Sequence, residues 1–336
     1  MKRERKTKII ATLGPASSNY DSIFKLFRAG ADIFRLNFSH GNHKDHLDNI
    51  NNIKKLEKKT NRPISILTDL QGPKLRVGSF KNSDGIILKK NREFTLDLSQ
   101  EKGNEERVYF PHPELYEHLQ KGQNIYINDG HLKLKVTDNK NGQIKTQVIS
   151  PGKISNNKGV NLPDLNFTLP AITKKDEKDL QFALENNVDW IALSFVQNAK
   201  DILNLRERIN NKAGIIAKLE KPSALKDLDN IIKFSDGIMI ARGDLGIEVP
   251  LETVPVLQKK IIRKCRQDSK PSIVATQMLE SMINSPIPTR AESSDVATAV
   301  YDGADAVMLS AETAIGNFPQ RTIETMNRII SEVEDD

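Results

Sequence analysis

The sequence predicts an α/β protein built on a closed (β/α)8 barrel, the TIM-barrel class. Eight apolar runs of strand length occur along the chain, and amphipathic helical patterns alternate with them. The runs are too apolar to leave one face of a strand in water, as expected for a parallel sheet covered by helices. Polar residues fall where the runs end, which is where such barrels carry their chemistry. A doubly wound open sheet is the less favoured alternative.

The predicted elements alternate regularly except after the third strand. The apolar runs predict strands at Lys8–Gly14, Ile33–Ser39, Ile64–Leu70, Trp190–Phe195, Gly214–Glu220, Gly237–Leu245, Ser272–Gln277 and Ala306–Glu312. The amphipathic patterns predict helices at Asp21–Ala29, Lys44–Lys59, Lys174–Asn186, Ala199–Asn210, Ser223–Phe234, Val254–Gln267, Arg290–Asp302 and Gln320–Val333.

Residues 74–168 interrupt the alternation with short β patterns and no convincing helix. Asn128-Asp129-Gly130 and Asn141-Gly142 each separate two β patterns and are typical of hairpin turns. We therefore predict a small antiparallel β-barrel domain at 74–168, inserted after strand 3 of a barrel domain formed by 1–73 and 169–336. Because it emerges at the carboxyl ends of the strands, we expect a hinged cap that closes over the substrate.

The composition limits the partners and the compartment. The chain carries 50 Lys and Arg against 44 Asp and Glu, a net charge of +6. Since the two signs are mixed, we expect a mild preference for anionic ligands and no nucleic-acid partner. No secretory signal or membrane-spanning run is found, so no membrane partner is expected. The single cysteine, Cys265, leaves no disulfide within the chain and indicates a reducing compartment, the cytoplasm.

The most informative strand end is that of Gly214–Glu220. Side chains alternate between the two faces of a strand, so Lys218 and Glu220 share one face. A buried charge is costly unless it is paired or bound to a metal, so this pair is difficult to explain by packing. A salt bridge at an exposed edge is the structural alternative.

Polar groups on the second strand and near the end of the insert suit an anion. Arg35, Asn37 and Ser39 share one face of the second strand, and guanidinium geometry matches phosphate. Lys158 leads back from the insert to the barrel and has the length to reach a bound anion. His40 is interpreted as a structural histidine.

Three further strand ends carry acids and a hydroxyl. Asp244 lies between glycines and, with Glu220, forms a carboxylate pair suited to Mg²⁺ or Mn²⁺. Thr276 and Glu312 also lie at the ends of predicted strands, although each alone has a structural explanation. The residues together predict a metal-assisted reaction on a phosphorylated or dicarboxylate-like anion. No Ser-His-Asp arrangement, paired cysteines or dinucleotide glycine motif is present to suggest another chemistry.

Six stretches of the sequence resemble pyruvate kinases. They are Lys8–Ser17 (KIIATLGPAS), Arg35–Gly41 (RLNFSHG), Asp69–Lys74 (DLQGPK), Met239–Gly246 (MIARGDLG), Ala275–Met282 (ATQMLESM) and Met308–Thr313 (MLSAET). The resemblance implies a glycolytic phosphotransferase that transfers the phosphoryl group of phosphoenolpyruvate to ADP and yields pyruvate and ATP. It runs from the first predicted strand to the last barrel helix.

The resemblance also implies roles for individual residues. Lys218 matches the lysine that stabilises the phosphoryl group in transfer and the enolate left behind. Glu220 and Asp244 match the ligands of the protein-bound Mg²⁺, and Arg35 matches the phosphate-binding arginine. These roles agree with the charges assigned from the residues alone.

For the substrate carboxylate, the resemblance implies a site made by the amides of Gly243 and Asp244 with the hydroxyl of Thr276. Thr276 also lies where the enolate is protonated, through water. Arg76 and Lys158 match contacts to the phosphates of ADP, which would bring its own Mg²⁺.

The chain departs from the family at a site for K⁺. The family's K⁺ ligands match Asn37, Ser39, Asp69 and the carbonyl of Leu70. Members that need K⁺ usually carry Glu where this chain has Lys74, and Thr and Lys where it has Leu70 and Gln71. Because the ammonium of Lys74 can supply the missing charge, we predict that K⁺ is not required. In the alternative, Lys74 points to solvent and K⁺ still binds.

A second departure concerns the end of the sequence at Asp336. The family usually continues into a C-terminal α/β domain with a sugar-phosphate effector site, so we expect a short form that lacks that domain and that activation. The resemblance implies a homodimer contact through barrel helices around Arg290–Asp302.

Two other functions stay open at this point. A metal-dependent pyruvate-forming lyase or aldolase of the related barrel type would use Arg35, Glu220 and Asp244 without a nucleotide. A non-catalytic binding protein derived from the kinase would be expected to lose the metal and lysine positions, which are present here. ADP-dependent pyruvate release separates both from the kinase.

Overall fold

The computed structural model describes residues 3–163, 165 and 170–336, which form two compact units. The barrel unit comprises Met1–Gly72, Pro170–Leu245 and Glu252–Asp336. The inserted unit comprises Pro73–Leu169 and Gly246–Leu251. The domain limit predicted at 168/169 falls on residues outside those described.

The elements follow the chain in three groups. Before the insert lie β1 (Lys8–Thr12), α1 (Tyr20–Ala29), β2 (Ile33–Asn37), α2 (His43–Thr60) and β3 (Ser65–Asp69). The insert contains β4 (Ile86–Leu88), β5 (Glu93–Asp97), β6 (Arg107–Tyr109), α3 (Pro113–Tyr116), β7 (Asn124–Ile127), β8 (Leu132–Lys140), β9 (Gln143–Ser150), β10 (Gly152–Ile154) and β11 (Val160–Asn161).

The third group completes the barrel unit, although Gly246–Leu251 within it belong to the inserted unit. It contains α4 (Lys174–Glu185), β12 (Trp190–Leu193), α5 (Ala199–Ile209), β13 (Gly214–Leu219), α6 (Pro222–Lys226), α7 (Leu228–Phe234), β14 (Gly237–Ala241), α8 (Arg242–Glu248), α9 (Val254–Gln267), β15 (Ser272–Ala275), α10 (Arg290–Tyr301), β16 (Ala306–Leu309), α11 (Ala311–Ala314) and α12 (Pro319–Asp335). Short 3-10 turns lie at Leu251–Thr253 and Glu280–Ile283.

Eight parallel strands close into a barrel in the order β1-β16-β15-β14-β13-β12-β3-β2. The predicted barrel fold is therefore confirmed. Each strand pairs with the strands before and after it among these eight, as right-handed strand-helix-strand connections produce. The carboxyl ends of all eight strands consequently lie on one rim.

The alternation of side chains along each strand separates two cores. In β13, Ile215, Ala217 and Leu219 pack in the large cluster shared with the helices, whereas Ile216 packs in a smaller cluster inside the barrel. Lys218 therefore lies on the inner face, above Ile216. The same reasoning puts Asp69 above Leu67, which belongs to the inner cluster. Charged residues thus complete the inner columns at the carboxyl rim.

Four helices of the barrel unit begin with reciprocal capping pairs. A side chain at the helix start accepts a backbone N–H, and an acid three residues on accepts one in return; the pairs are Asn42 with Asp45, Thr173 with Asp176, Asn198 with Asp201, and Thr289 with Glu292. Such a cap contributes about 1 kcal/mol. No helix among the described residues has an apolar stretch of membrane-spanning length.

Several predicted elements end or divide differently in the structure. The runs predicted as strands through Leu245 and Glu312 stop at Ala241 and Leu309, and short helices start just beyond them. The predicted helix Ser223–Phe234 is two helices, because Asp227 leaves helical geometry and accepts the Ala199 amide instead. A four-residue helix, α3, occurs where none was expected.

The inserted unit is a β structure with its own apolar core. One sheet has the order β11-β7-β8-β9-β5-β6 and another pairs β10 with β4. Its pairs are antiparallel apart from β5 with β6. Both predicted hairpins are confirmed, since β7 and β8 flank Asn128–Gly130 and β8 and β9 flank Asn141-Gly142. Asn128 and Asn141 have φ of 56° and 52°, the left-handed geometry that these turns require.

Candidate active site

Lys218 is the centre of a buried charge cluster at the carboxyl rim of the barrel unit. Its Nζ lies 3.0 Å from Asp69 Oδ1 and 3.0 Å from Glu220 Oε1. It also donates a 2.7 Å hydrogen bond to Ser194 Oγ. Three acceptors match the three hydrogens of an ammonium, so the orientation of the side chain is fixed.

Asp69 joins this ammonium to a second cation. Arg35 donates to Asp69 Oδ2 from Nε at 2.8 Å and from Nη2 at 2.7 Å. Its Nη1 donates to Thr12 Oγ1 at 3.0 Å, and that hydroxyl donates to the Leu309 carbonyl at 2.7 Å. One carboxylate, 1% exposed, therefore holds both a guanidinium and an ammonium.

Glu220 is held by the strand next to its own. The amide of Phe195 donates to Glu220 Oε2 at 2.6 Å, while Oε1 faces Lys218. Phe195 adopts φ of 54°, a left-handed conformation that costs a residue with a Cβ about 1 kcal/mol or more. The strained backbone directs its N–H at the carboxylate. The alternative of a salt bridge at an exposed edge does not apply, because Lys218 and Glu220 are both buried.

Protonation of the cluster follows from burial and from the neighbouring charges. Burial alone would lower the pKa of Lys218, but Asp69 and Glu220 outweigh it and raise that pKa. Burial opposes ionisation of Asp69, yet Lys218 and Arg35 hold its pKa below the usual value. Burial raises the pKa of Glu220 more than Lys218 lowers it, and Asp244 adds to the rise.

Asp244, Gly243 and Thr276 form the neighbouring part of the rim. The Gly243 amide donates to Thr276 Oγ1 at 2.8 Å, and that hydroxyl donates to the Ala275 carbonyl at 2.6 Å. Thr276 has φ of 71°, a second strained residue at this rim. Arg242 fixes it by donating to the Thr276 carbonyl at 2.9 Å. The negative charge of Asp244 contributes to the raised pKa of both Lys218 and Glu220.

The carboxylates of Glu220 and Asp244 fit a hard divalent cation. Both are oxygen donors, and burial, with the nearby charge of Asp244, raises the pKa of Glu220, so a bound cation would favour its ionised form. Within residues 3–163, 165 and 170–336, no group of three or more His, Cys, Asp and Glu could enclose a metal. Two carboxylates leave the other coordination positions to water and substrate, which is typical of Mg²⁺ sites.

The residues predicted by resemblance for a K⁺ site lie beside the cluster. Asn37 Oδ1 accepts the Ser39 amide at 3.1 Å, and the Leu70 carbonyl accepts Ser194 Oγ at 2.6 Å. Asp69, the fourth, is engaged by Arg35 and Lys218. The barrel unit therefore brings these four residues to one region.

The predicted nucleotide residues belong to the inserted unit. Arg76 pairs with Gly159 in a β bridge, so Arg76 and Lys158 lie on adjacent segments. Arg76 Nη1 donates to the Asn157 carbonyl at 2.8 Å. Lys74 lies close to the same segment, because a Cβ built on Gly159 would be 3.3 Å from Lys74 Cε. The inserted unit thus groups three basic side chains.

One polar residue at the rim, Glu312, has a structural role, and several residues that bind the buried cations were not predicted from the sequence. Glu312, 2% exposed, accepts the Ser310 amide at 2.7 Å and is a capping acid rather than part of the cluster. Sequence reasoning missed Ser194 and Thr12 as partners of the cations, and it assigned Asp69 only to a monovalent ion. Its position near the end of a predicted strand is the one signal in the sequence that could have indicated Ser194.

Comparisons with known proteins agree with this geometry. The family description "Pyruvate kinase, barrel domain" matches residues 4–323. A pyruvate kinase from Methylorubrum extorquens is 53% identical over 336 residues, which cover 100% of this chain and 70% of that protein. One from Agrobacterium vitis is 49% identical over 335 residues, covering 99% of this chain and 69% of that protein.

A solved structure agrees in fold. The crystal structure of a pyruvate kinase from Cryptosporidium parvum superimposes with a TM-score of 0.93 at 40% identity, covering 98% of this chain and 70% of that one. The barrel and its charged rim therefore belong to a phosphotransferase enzyme. The chain is a member of the pyruvate kinase family.

We predict that Asp69→Asn destabilises the protein by about 3–5 kcal/mol at pH 7, because two buried cations lose their partner. Folding lowers the pKa of Asp69, so its contribution is present above the unfolded pKa of about 3.9 and is lost as the pH falls below it. The gap between wild type and variant should therefore narrow below about pH 4. Urea unfolding, followed through the fluorescence of Trp190, measures it.

The matched control is Asp229→Asn, which removes an exposed acid 3.3 Å from Lys264. This change should cost less than about 1 kcal/mol at every pH. Equal costs for the two variants would contradict a stabilising role of the buried cluster.

Proposed function

We propose that this chain transfers the phosphoryl group of phosphoenolpyruvate to ADP, giving pyruvate and ATP, the last step of glycolysis. The observation that carries the proposal is the Lys218 ammonium fixed between Asp69 and Glu220, with Arg35 on the other oxygen of Asp69. Two buried cations at one rim suit a reaction in which a phosphoryl group leaves an enolate behind. A lyase would not need the basic group of the inserted unit.

In this proposal, Lys218 is the main electrostatic catalyst. The raised pKa keeps its ammonium charged throughout the working pH range. When the P–O bond of the substrate breaks, negative charge develops on the oxygens of the phosphoryl group being transferred and on the enolate oxygen. An ammonium already held in place stabilises that charge without reorganisation of its surroundings. Arg35, fixed by Asp69 and Thr12, holds the phosphate.

The carboxylate of the substrate is proposed to bind at Gly243, Asp244 and Thr276. In the structure, the Gly243 amide donates to Thr276 Oγ1. A bound substrate carboxylate would replace Thr276 Oγ1 as the acceptor of this amide. The Thr276 hydroxyl, which donates to the Ala275 carbonyl in the structure, would turn to a water through which the enolate carbon receives its proton. The strained backbone of Thr276 keeps this hydroxyl at the rim.

Glu220 and Asp244 would hold Mg²⁺, or Mn²⁺ in its place. When bound, the cation neutralises charge on substrate oxygens. The Phe195 amide keeps one oxygen of Glu220 oriented, and Lys218 limits the cost of burying its charge.

ADP is proposed to bind through Arg76 and Lys158 of the inserted unit. Two basic side chains on adjacent segments suit the phosphates of a nucleotide, and Arg offers planar donors to them.

The domain limits 1–73 with 169–336 and 74–168 are retained as part of this proposal, with 74–168 as a cap. We also propose a homodimer through the helix at Arg290–Tyr301 and a cytoplasmic location.

We propose that the reaction needs no K⁺. Asp69 already binds two cationic side chains, which leaves it less charge for a monovalent ion. Lys74 would add a fixed positive charge where K⁺-requiring relatives are expected to carry an acid.

A coupled assay of pyruvate release from phosphoenolpyruvate and ADP with Mg²⁺ tests the main proposal. Lys218→Met should lower kcat by about 10²-fold or more, because one fixed charge at the transition state is removed. The control is Lys212→Met, which removes an exposed lysine just before the same strand. ADP-independent pyruvate release, or full activity of Lys218→Met, would refute the proposal.

The same assay in a buffer with tetramethylammonium as the only monovalent cation tests the role of Lys74. Adding KCl should change wild-type kcat by less than about twofold, and Lys74→Glu should become dependent on KCl. Lys89→Glu, a change at an exposed lysine of the inserted unit, should behave as wild type. A many-fold activation of the wild type by KCl would show that Lys74 does not replace the ion.

A further inference from the structure

Asp176, in the first turn of α4, is fully buried and serves two segments of the barrel unit. Its Oδ2 accepts the Thr173 amide at 2.9 Å and the Thr173 hydroxyl at 2.5 Å, which caps the helix. Its Oδ1 accepts the amide of Gly72 at 3.1 Å. Capping needs only the first set of contacts. The bond to Gly72 is a separate link.

Gly72 is the last residue of the barrel unit before the chain enters the inserted unit. The chain returns at Pro170, just before Thr173 and Asp176. A single buried carboxylate therefore ties the exit of the insert to the start of the helix that follows its return.

Gly72 also lies against two residues that orient the proposed catalytic groups. It has φ of 67°, and a Cβ built on it would lie 3.0 Å from both Phe195 Cδ2 and Ser194 Cβ. The two residues it touches are the ones that bind Lys218, through Ser194 Oγ, and Glu220, through the Phe195 amide. We call Ser194 and Phe195 the support pair.

We propose that Asp176 is a positioning residue, which presses the exit segment at Gly72 onto the support pair and so fixes Lys218 and Glu220. The left-handed Phe195 needs such support, since its geometry is unfavourable in the absence of surrounding contacts. The Leu70 carbonyl, two residues before Gly72, accepts the Ser194 hydroxyl at 2.6 Å and extends the contact. Movement of the segment at Gly72 would thus displace both members of the support pair. The hydroxyl that accepts from Lys218 and the amide that donates to Glu220 would shift together.

The test compares three variants of the full chain by amide hydrogen exchange and by kinetics. Asp176→Ala removes the bond to Gly72 and the helix cap, whereas Thr173→Ala weakens only the cap. Gly72→Ala keeps Asp176 but crowds the support pair. Exchange of the Phe195 amide should be about tenfold faster in Asp176→Ala and Gly72→Ala than in wild type, and unchanged in Thr173→Ala.

The kinetic arm rests on the proposed phosphoryl transfer. There kcat should fall about tenfold in Asp176→Ala and Gly72→Ala, with a smaller change in KM for ADP, and stay within about twofold in Thr173→Ala. Phe195 exchange in a folded Asp176→Ala equal to that in Thr173→Ala would overturn the inference. If Asp176→Ala does not fold, unchanged Phe195 exchange in Gly72→Ala overturns it. A wild type without kinase activity would refute the proposed function, and the exchange arm would still decide the role of Asp176.

Discussion

The Asp69–Lys218 ion pair is the interaction on which the site depends. Two cations and a carboxylate buried at the end of a barrel are costly, and an apolar replacement of similar volume would often be as stable. Their burial therefore indicates a function. Asp69 offsets the cost of burying these charges by binding Arg35 with one oxygen and Lys218 with the other. The same sharing fixes both cations before any substrate arrives, and preorganised charge is what a phosphoryl transfer uses.

The barrel supplies this pair through strand order. Asp69 ends β3, which pairs with β2 on one side and β12 on the other, and β12 pairs in turn with β13. Arg35 on β2 thus reaches Asp69 directly, whereas Lys218 on β13 reaches it across β12. Ser194, at the end of β12, fills the space between and accepts from Lys218. The strained backbone at Phe195 and Thr276 then directs an amide and a hydroxyl toward the rim, at a cost that the surrounding hydrogen bonds offset.

Much of this could be predicted from the sequence because it depends on local periodicity. The period of two along a strand assigns Lys218 and Glu220 to one face, and the run of apolar residues predicts that the strand is buried. Which acid pairs with Lys218 and Arg35 depends on which strands become neighbours in the barrel. The local sequence around Asp69 therefore could not show that this carboxylate is shared by both cations. Ser194 and Thr12 were missed because a hydroxyl near the end of a strand is common. The helix that begins at Arg242 was missed because it follows the apolar run of the strand without a break in the sequence pattern. The strand ends there only because its hydrogen-bonded pairing with the neighbouring strands ends.

The most direct test of the account is Mn²⁺ binding in the absence of substrate, measured by the loss of the EPR signal of free Mn²⁺. The account predicts one site in the wild type, weakened about 10–100-fold by Glu220→Gln and by Asp244→Asn. The exposed Glu280→Gln should bind as the wild type does. Wild-type Mn²⁺ affinity in Glu220→Gln and Asp244→Asn would contradict the claim that these carboxylates and Lys218 form one catalytic rim.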